Sequence, residues 1–344
     1  MYDKVYKKIL IIDGSFLLHR VLSVPEIFSL KNTKGVKTGG VYQFLRSLQR
    51  EIINDGDYYP IVCFDKGLSK RRTDIDKNYK KYDEHYHTVR VPLTQSEIDE
   101  DMDSQYRIQR NMIIECLYYM GIPALMYPDC EGDDLMYVLS CMSQQSLVIT
   151  DDRDLLQLLS DRCMIRRPKA DESWDINRFL KEGLECGEIS DISDFVLYKA
   201  VIGDSSDNIP SACYGVGKKL FGNFISILKH YQSNDGNFDF TNYPKTEIDM
   251  KKLCDSLDIP YRKVYLNFEP DRFNMNIQLV DLRLVDISDD IIISMRSTIA
   301  NARNGVDYFK LIGVLGNLEI QNIDVDSLVS CTKFRHKNLF INEV

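Results

Sequence analysis

Three short apolar runs in this chain each end in an aspartate, and that pattern constrains the fold more than any other feature. Lys8-Ile-Leu-Ile-Ile12 is closed by Asp13-Gly14, Ile61-Val-Cys-Phe64 by Asp65, and Leu147-Val-Ile-Thr150 by Asp151-Asp152-Arg153-Asp154. Apolar runs this short read as buried strands of a parallel sheet. Between them the period changes to that of helices. Val41, Phe44, Leu45 and Leu48 share one face of a segment over 41–53, and a longer segment over 105–120 stops at Gly121 with Pro123 beyond it. A further strand is expected over 124–127, and another helix starts near Glu131-Gly-Asp-Asp134. Strands alternating with helices predict an α/β domain with a mostly parallel sheet over about residues 1 to 170.

After Trp174 the pattern turns helical, over 191–201 and 218–229, joined by a turn that contains Gly215-Val-Gly217. Residues 231–247, rich in Asn, Asp and Thr, read as a polar surface loop, and about 305–344 carries only weak periodicity. A length of 344 residues suits about two domains. With 44% hydrophobic and 28% charged residues, disorder throughout is excluded. No stretch approaches the ~18 apolar residues of a membrane span. Nine cysteines without a C-x-x-C pair argue against a zinc ribbon or a closed disulfide framework, and point to a reducing, cytoplasmic setting.

The carboxylates then fall where chemistry is built. In an open α/β sheet the C-terminal strand ends line one crevice, so Asp13, Asp65 and Asp152 are expected to converge, joined by Glu131, Asp133, Asp134 and Asp154. So many acids in one crevice raise one another's pKa unless cations neutralise them. The donors are all oxygen and only one pair of the five histidines is close, which favours Mg²⁺, or Mn²⁺ in its place, over zinc. Two such cations would activate water and stabilise the leaving oxygen in phosphodiester hydrolysis. In the helical part, Asp204 and Asp207 lie three apart and can reach toward the same crevice. Gly215-Val-Gly217 before a helix, with Lys218 and Lys219, can hold a phosphate. The net charge is −9, yet 66–81 carries seven bases against two acids, Lys70, Arg71, Arg72, Lys80 and Lys81 among them.

These residues, in this order, resemble the flap endonuclease or 5′-3′ exonuclease family, especially phage 5′ nucleases and the 5′-nuclease domain of bacterial DNA polymerase I. The carriers span about residues 8 to 285. They are Leu10-Ile-Ile-Asp13-Gly14, Gly40-Val-Tyr-Gln-Phe44, Phe64-Asp65, Glu131-Gly-Asp-Asp134 and Thr150-Asp-Asp-Arg-Asp154 with Gln157-Leu-Leu-Ser-Asp161. Gly203-Asp-Ser-Ser-Asp-Asn-Ile-Pro210, Gly215-Val-Gly-Lys218 and Asn276-Ile-Gln-Leu-Val-Asp-Leu282 follow. The resemblance implies a PIN-like nuclease core over 1–175 with a helical arch over about 66–108. It further implies a helical DNA-binding lobe with a helix-three-turn-helix over 176–300, and leaves 301–344 as an extension without a role.

By motif position, Asp13, Asp65, Glu131, Asp133 and Asp134 would serve a first metal, and Asp152, Asp154, Asp204 and Asp207 a second. Arg72 and Lys80 match the arginine and lysine that contact the scissile phosphate, so with Asp13 and Asp152 they form the expected catalytic set. Tyr79 would stack on a terminal base. Lys70, Arg71 and Lys81 would add charge to the arch, and Gly215, Gly217, Lys218 and Lys219 would grip the duplex, with K⁺ at that turn. Asp83 stands where close relatives carry a second arch arginine, and one extra residue separates Pro210 from Gly215. The expected enzyme is a monomeric, Mg²⁺-dependent nuclease of phage replication acting on 5′ flaps, duplex junctions and RNA–DNA hybrids, with a single-strand-binding protein as a partner. A catalytically silent junction-binding module and a PIN-type ribonuclease are the competing readings.

Overall fold

The computed structural model describes residues 3–80, 101–182, 189–337 and 339–341. Its sheet has six strands in the order β3-β2-β1-β4-β5-β6, formed by Tyr6–Asp13 (β1), Tyr59–Cys63 (β2), Ala124–Leu125 (β3), Ser143–Ile149 (β4), Cys163–Arg167 (β5) and Glu172–Trp174 (β6). The pairings β1–β2, β1–β4, β2–β3 and β4–β5 are all parallel. β1 is central because Ile9, Leu10, Ile11 and Ile12 are apolar on both faces and all buried. The chain runs outward from β1 to β3 on one side, then returns to lay β4 against the other, so strand order reverses between β1 and β4. Crevices open at such reversals, beyond the carboxyl ends of the strands.

The expected strands are present, and β5 and β6 are additions. β5 lacks an apolar run: Cys163 and Ile165 are buried while Met164 points out, and Arg166 pairs with Asp55 and Glu51. Asp13-Gly14 opens a helix, Gly14–Leu22, rather than a turn. Glycine is required there by space, since a Cβ would lie 2.7 Å from Phe64 and Val62.

By contacts, the described residues fall into two units, one within Met1–Gly67, His87–Ser173 and Asp286–Val344, the other within Leu68–Tyr86 and Trp174–Val285. The chain after Asp286 therefore belongs with the sheet, where helices Tyr308–Asn317 and Val325–Lys337 supply Leu311, Leu315 and Leu328 to the core around Phe44, Leu48 and Leu117. Weak periodicity there has a cause. Three buried positions of the last helix are polar and answer backbone carbonyls: Thr332 donates to Met120 (2.7 Å), and Arg335 donates to Ile52 (2.8 Å) and Tyr58 (3.2 Å), while His336 lies against Ile299 O.

The second unit packs Trp174, Phe179, Phe195, Phe221, Phe224 and Tyr265 into its interior. The 231–247 segment is mostly exposed, as its composition demands, but Phe240 and Tyr243 turn inward onto Phe268. Asn276 is fully buried, and its amide donates to the carbonyls of Ala200 and Pro210, both at 2.8 Å, fixing the loop after helix Ile192–Ile202.

Since Leu328 sits in the core of the sheet unit, Leu328→Ala is expected to destabilise that unit by about 3 kcal/mol in a urea titration. A change within experimental error would place the last helix outside the core.

Candidate metal centre and cationic segment

In the sheet unit, the strand ends carry the acids. Asp13 is only 6% exposed, and its carboxylate accepts the Phe16 N–H (2.9 Å), capping the helix that follows, and the Thr150 hydroxyl from the end of β4 (2.8 Å). Thr150 in turn accepts the Asp152 N–H at 3.0 Å, and Asp152 accepts the Asp154 N–H at 2.9 Å. One hydroxyl thus links the β1 and β4 acids across the reversal.

Asp65 is held from three directions. Its N–H donates to Ser15 (2.8 Å), its carbonyl accepts Arg110 (3.1 Å), and its carboxylate accepts the Gly132 N–H at 2.6 Å. A Cβ at residue 132 would lie 3.0 Å from that carboxylate oxygen, which is why the helix Gly132–Met142 begins with glycine. Tyr106 donates to Ser15 at 3.0 Å and carries the Arg110 guanidinium over its ring. Glu131 and Asp134 form a reciprocal capping box at the start of that helix, with the Glu131 N–H donating to Asp134 at 3.0 Å. Both are buried, so their carboxylates sit at a helix N-terminus whose dipole favours negative charge.

Their charges act as one field. Burial first, then the charges of Asp152 and Asp65, push the Asp13 carboxyl up to about 7, against the partial relief of the Phe16 and Thr150 hydrogen bonds. Burial, with Asp13, Asp65 and Asp133, holds the Cys63 thiol well above its ordinary range. Burial, with Asp134, Asp129, Asp65 and Glu131, pushes Cys130 up to about 12. Among the described residues, no three or more histidine, cysteine, aspartate or glutamate side chains stand together as a ready-made ion site. The donors fit a hard divalent cation in kind, being carboxylates whose mutual repulsion such a charge would relieve. Ser15, Tyr106 and Arg110 escape a motif reading because the fold alone brings them to Asp65, Tyr106 by way of Ser15.

In the helical unit, Asp204 and Asp207 are each engaged by a lysine. Lys199 lies 2.6 Å from Asp204, and Lys80 lies 3.6 Å from Asp207. Burial alone would raise the Asp204 carboxyl, but hydrogen bonds from Lys199 and Ser206 and the lysine charge outweigh it and leave it below the ordinary range. Tyr79 donates to Asp207 at 3.2 Å, the Lys80 N–H to the Asp207 carbonyl at 2.9 Å, and the Asn208 amide to the Asn78 carbonyl at 2.9 Å. Lys80 and Asn208 both adopt left-handed backbone, φ 51° and 59°.

The basic segment thereby departs from a row of solvated cations. Arg72 is 3% exposed, donates to the Leu279 carbonyl at 3.0 Å, and closes the C-terminal end of helix Pro270–Val280. Arg71 binds the Gln278 carbonyl, and Tyr79 is 2% exposed, so neither Arg72 nor Tyr79 presents the open face that a phosphate contact or base stacking requires. Lys70 is exposed and pairs with Asp74. Lys81 lies outside the described residues. Gly215, with φ 93°, and Gly217 precede helix Lys218–His230, and Tyr214, Lys218 and Lys219 are exposed around them.

The Asp13 carboxyl titrates near 7 in the folded chain against 3.8 ordinarily, so its contribution to stability is complete below 3.8 and is lost as pH rises through about 7. In EDTA, the melting temperature is expected to be lower near pH 8 than near pH 5.5, and Asp13→Asn to flatten that slope. An unchanged slope in the variant would refute a buried charge at Asp13. Asn208→Gly, which keeps the left-handed backbone but loses the Asn78 bond, is expected to speed tryptic cleavage around Lys77 and Lys80. Equal rates would mean that this clasp does not hold the segment.

Comparison with known proteins bears on these sites. Residues 8–183, just over half of the chain, match the family model of the 5′-3′ exonuclease N-terminal resolvase-like domain. A 5′-3′ exonuclease of Aquifex aeolicus is 29% identical over 300 residues, covering 83% of this chain and 95% of that protein. DNA polymerase I of Thermus thermophilus is 30% identical over 234 residues, but only 25% of its length is spanned. In fold, the chain is similar to a phage T5 flap endonuclease solved with DNA and metal ions (TM-score 0.56, 18% identity, 96% of this chain and 100% of that one). It is also similar to a phage T5 5′-exonuclease with bound zinc (TM-score 0.53, 20% identity, 91% of this chain and 99% of that one). With a matched domain that holds every acid from Asp13 to Asp154, this chain belongs to the 5′-3′ exonuclease family.

Proposed function

We propose that this chain is a divalent-metal-dependent 5′ nuclease that hydrolyses phosphodiesters of 5′-flap and junction DNA and of RNA primers paired to DNA. The observation that carries the proposal is the linking of acids from three strand ends and one helix start by short contacts, Asp13 through Thr150 to Asp152 and Asp65 to Gly132, beside the reversal of strand order. Asp13, Asp65, Glu131, Asp133 and Asp134 would hold one cation, and Asp152 and Asp154 contribute to a second. A cation bound there supplies a water of lowered pKa and neutralises phosphate charge. The residues of the chain do the rest. Thr150 sets the spacing of Asp13 and Asp152, and Ser15, Gly132 and Arg110 orient Asp65.

In the helical unit, the N-terminus of helix Lys218–His230 would hold duplex phosphates through backbone N–H groups with Lys218 and Lys219. Its turn at Gly215 is the place for K⁺. Lys80, 3.6 Å from Asp207, would be the arch cation that turns to a substrate phosphate. Phosphate contacts of this kind give affinity without base preference and a steep loss of binding with salt.

The test is a 5′-flap DNA labelled at either end, incubated with Mg²⁺ or EDTA beside Asp152→Asn. Cleavage near the junction is expected only with Mg²⁺, with a loss in the variant of at least ~100-fold. Tight junction binding without cleavage under Mg²⁺ or Mn²⁺ would favour a silent binding module. Cleavage of RNA alone would favour a ribonuclease.

A further inference from the structure

Asp151 precedes the proposed ligand Asp152 by one residue, yet its side chain is turned into the protein, with 5% exposed. Both of its oxygens are engaged. The Lys169 N–H lies 2.9 Å from Oδ2 and 3.2 Å from Oδ1, Arg20 Nη1 lies 3.7 Å from Oδ2, and Arg167 Nε lies 3.9 Å from Oδ1. These donors come from three places around the crevice. Arg20 is on the helix that Asp13 caps, Arg167 ends β5, and Lys169 is in the turn between β5 and β6.

We infer that Asp151 is a positioning residue for the metal centre, which locks the Thr150–Asp154 loop against the helix after β1 and the β5–β6 turn. The start of the loop is fixed by Thr150, whose N–H donates to the Arg166 carbonyl at 3.1 Å and whose hydroxyl donates to Asp13. With Thr150 and Asp151 both tied, Asp152 and Asp154 have little freedom in where they present oxygen. Groups that orient metal ligands from behind typically change metal affinity by about 10- to 100-fold when altered. A neutral amide at 151 cannot substitute. It keeps the volume but turns one acceptor into an N–H₂ donor facing the Lys169 N–H or a guanidinium.

The inference rests on the reading of Asp152 and Asp154 as ligands, so the experiment separates the two. Calorimetric titration of Mn²⁺ into the full-length protein without DNA compares the unsubstituted chain with Asp151→Asn, Arg20→Gln and Asp152→Asn. Asp151→Asn is expected to weaken binding about tenfold in a chain that still melts cooperatively in EDTA. Because the ligands themselves remain, excess Mn²⁺ is expected to restore its cleavage of flap DNA. Arg20→Gln, on a partly exposed side chain, is expected to weaken binding in the same direction without disturbing the fold, and decides the matter if Asp151→Asn does not fold. Loss of binding in Asp152→Asn with wild-type affinity in Asp151→Asn, or in Arg20→Gln where that variant decides, would overturn the positioning role alone. Wild-type affinity in Asp152→Asn would overturn the ligand reading as well.

Discussion

A carboxylate buried at the end of the central strand is the constraint on which the sheet unit depends. Asp13 is too enclosed to be solvated, so its charge must be answered by the protein or by an ion. The protein answers in part, with one N–H of the helix it caps and one hydroxyl from β4. Burial first, and the charges of the neighbouring acids after it, still raise Asp13 itself and the nearby thiols of Cys63 and Cys130. A carboxylate buried in this way costs stability, a trade found where charge is concentrated at functional sites.

The supports of that site are unlike the site itself. Ser15, Thr150 and Arg110 are neutral or basic, come from separate segments, and act through backbone groups of the acids as much as through carboxylates, with Tyr106 bracing Ser15. The helical unit solves the same problem differently. There, Asp204 and Asp207 face lysines, and the segment that carries Lys80 is fastened to the Asp207–Asn208 turn by both its backbone and its side chains.

Much of the site is legible in the sequence because strand ends in a parallel sheet must face one side. Asp13, Asp65 and Asp152 follow from that rule, and the strand and helix pattern carries β1 to β4 with it. Motif position points to the arginine and tyrosine of the basic segment as substrate contacts, whereas Arg72 closes a helix end and Tyr79 binds Asp207 from a buried position. Charge count cannot distinguish a guanidinium for phosphate from one for backbone carbonyls, since both present oxygen acceptors to the same N–H donors.

What the sequence alone determined was the alternation of apolar strands and amphipathic helices and the placement of acids at strand ends. Both are local, written in residues adjacent along the chain. Tertiary structure decided that β5 and β6 extend the sheet, that the last two helices fill the core beside Phe44 and Leu117, and that Asp151 turns away from its neighbour Asp152. Each of these is fixed by partners far along the chain: Arg166 with Asp55, Thr332 with the Met120 carbonyl, Asp151 with Arg20 and Lys169. Burial of polar groups is allowed only where such partners meet them, and which partners meet is set by topology rather than by any local period.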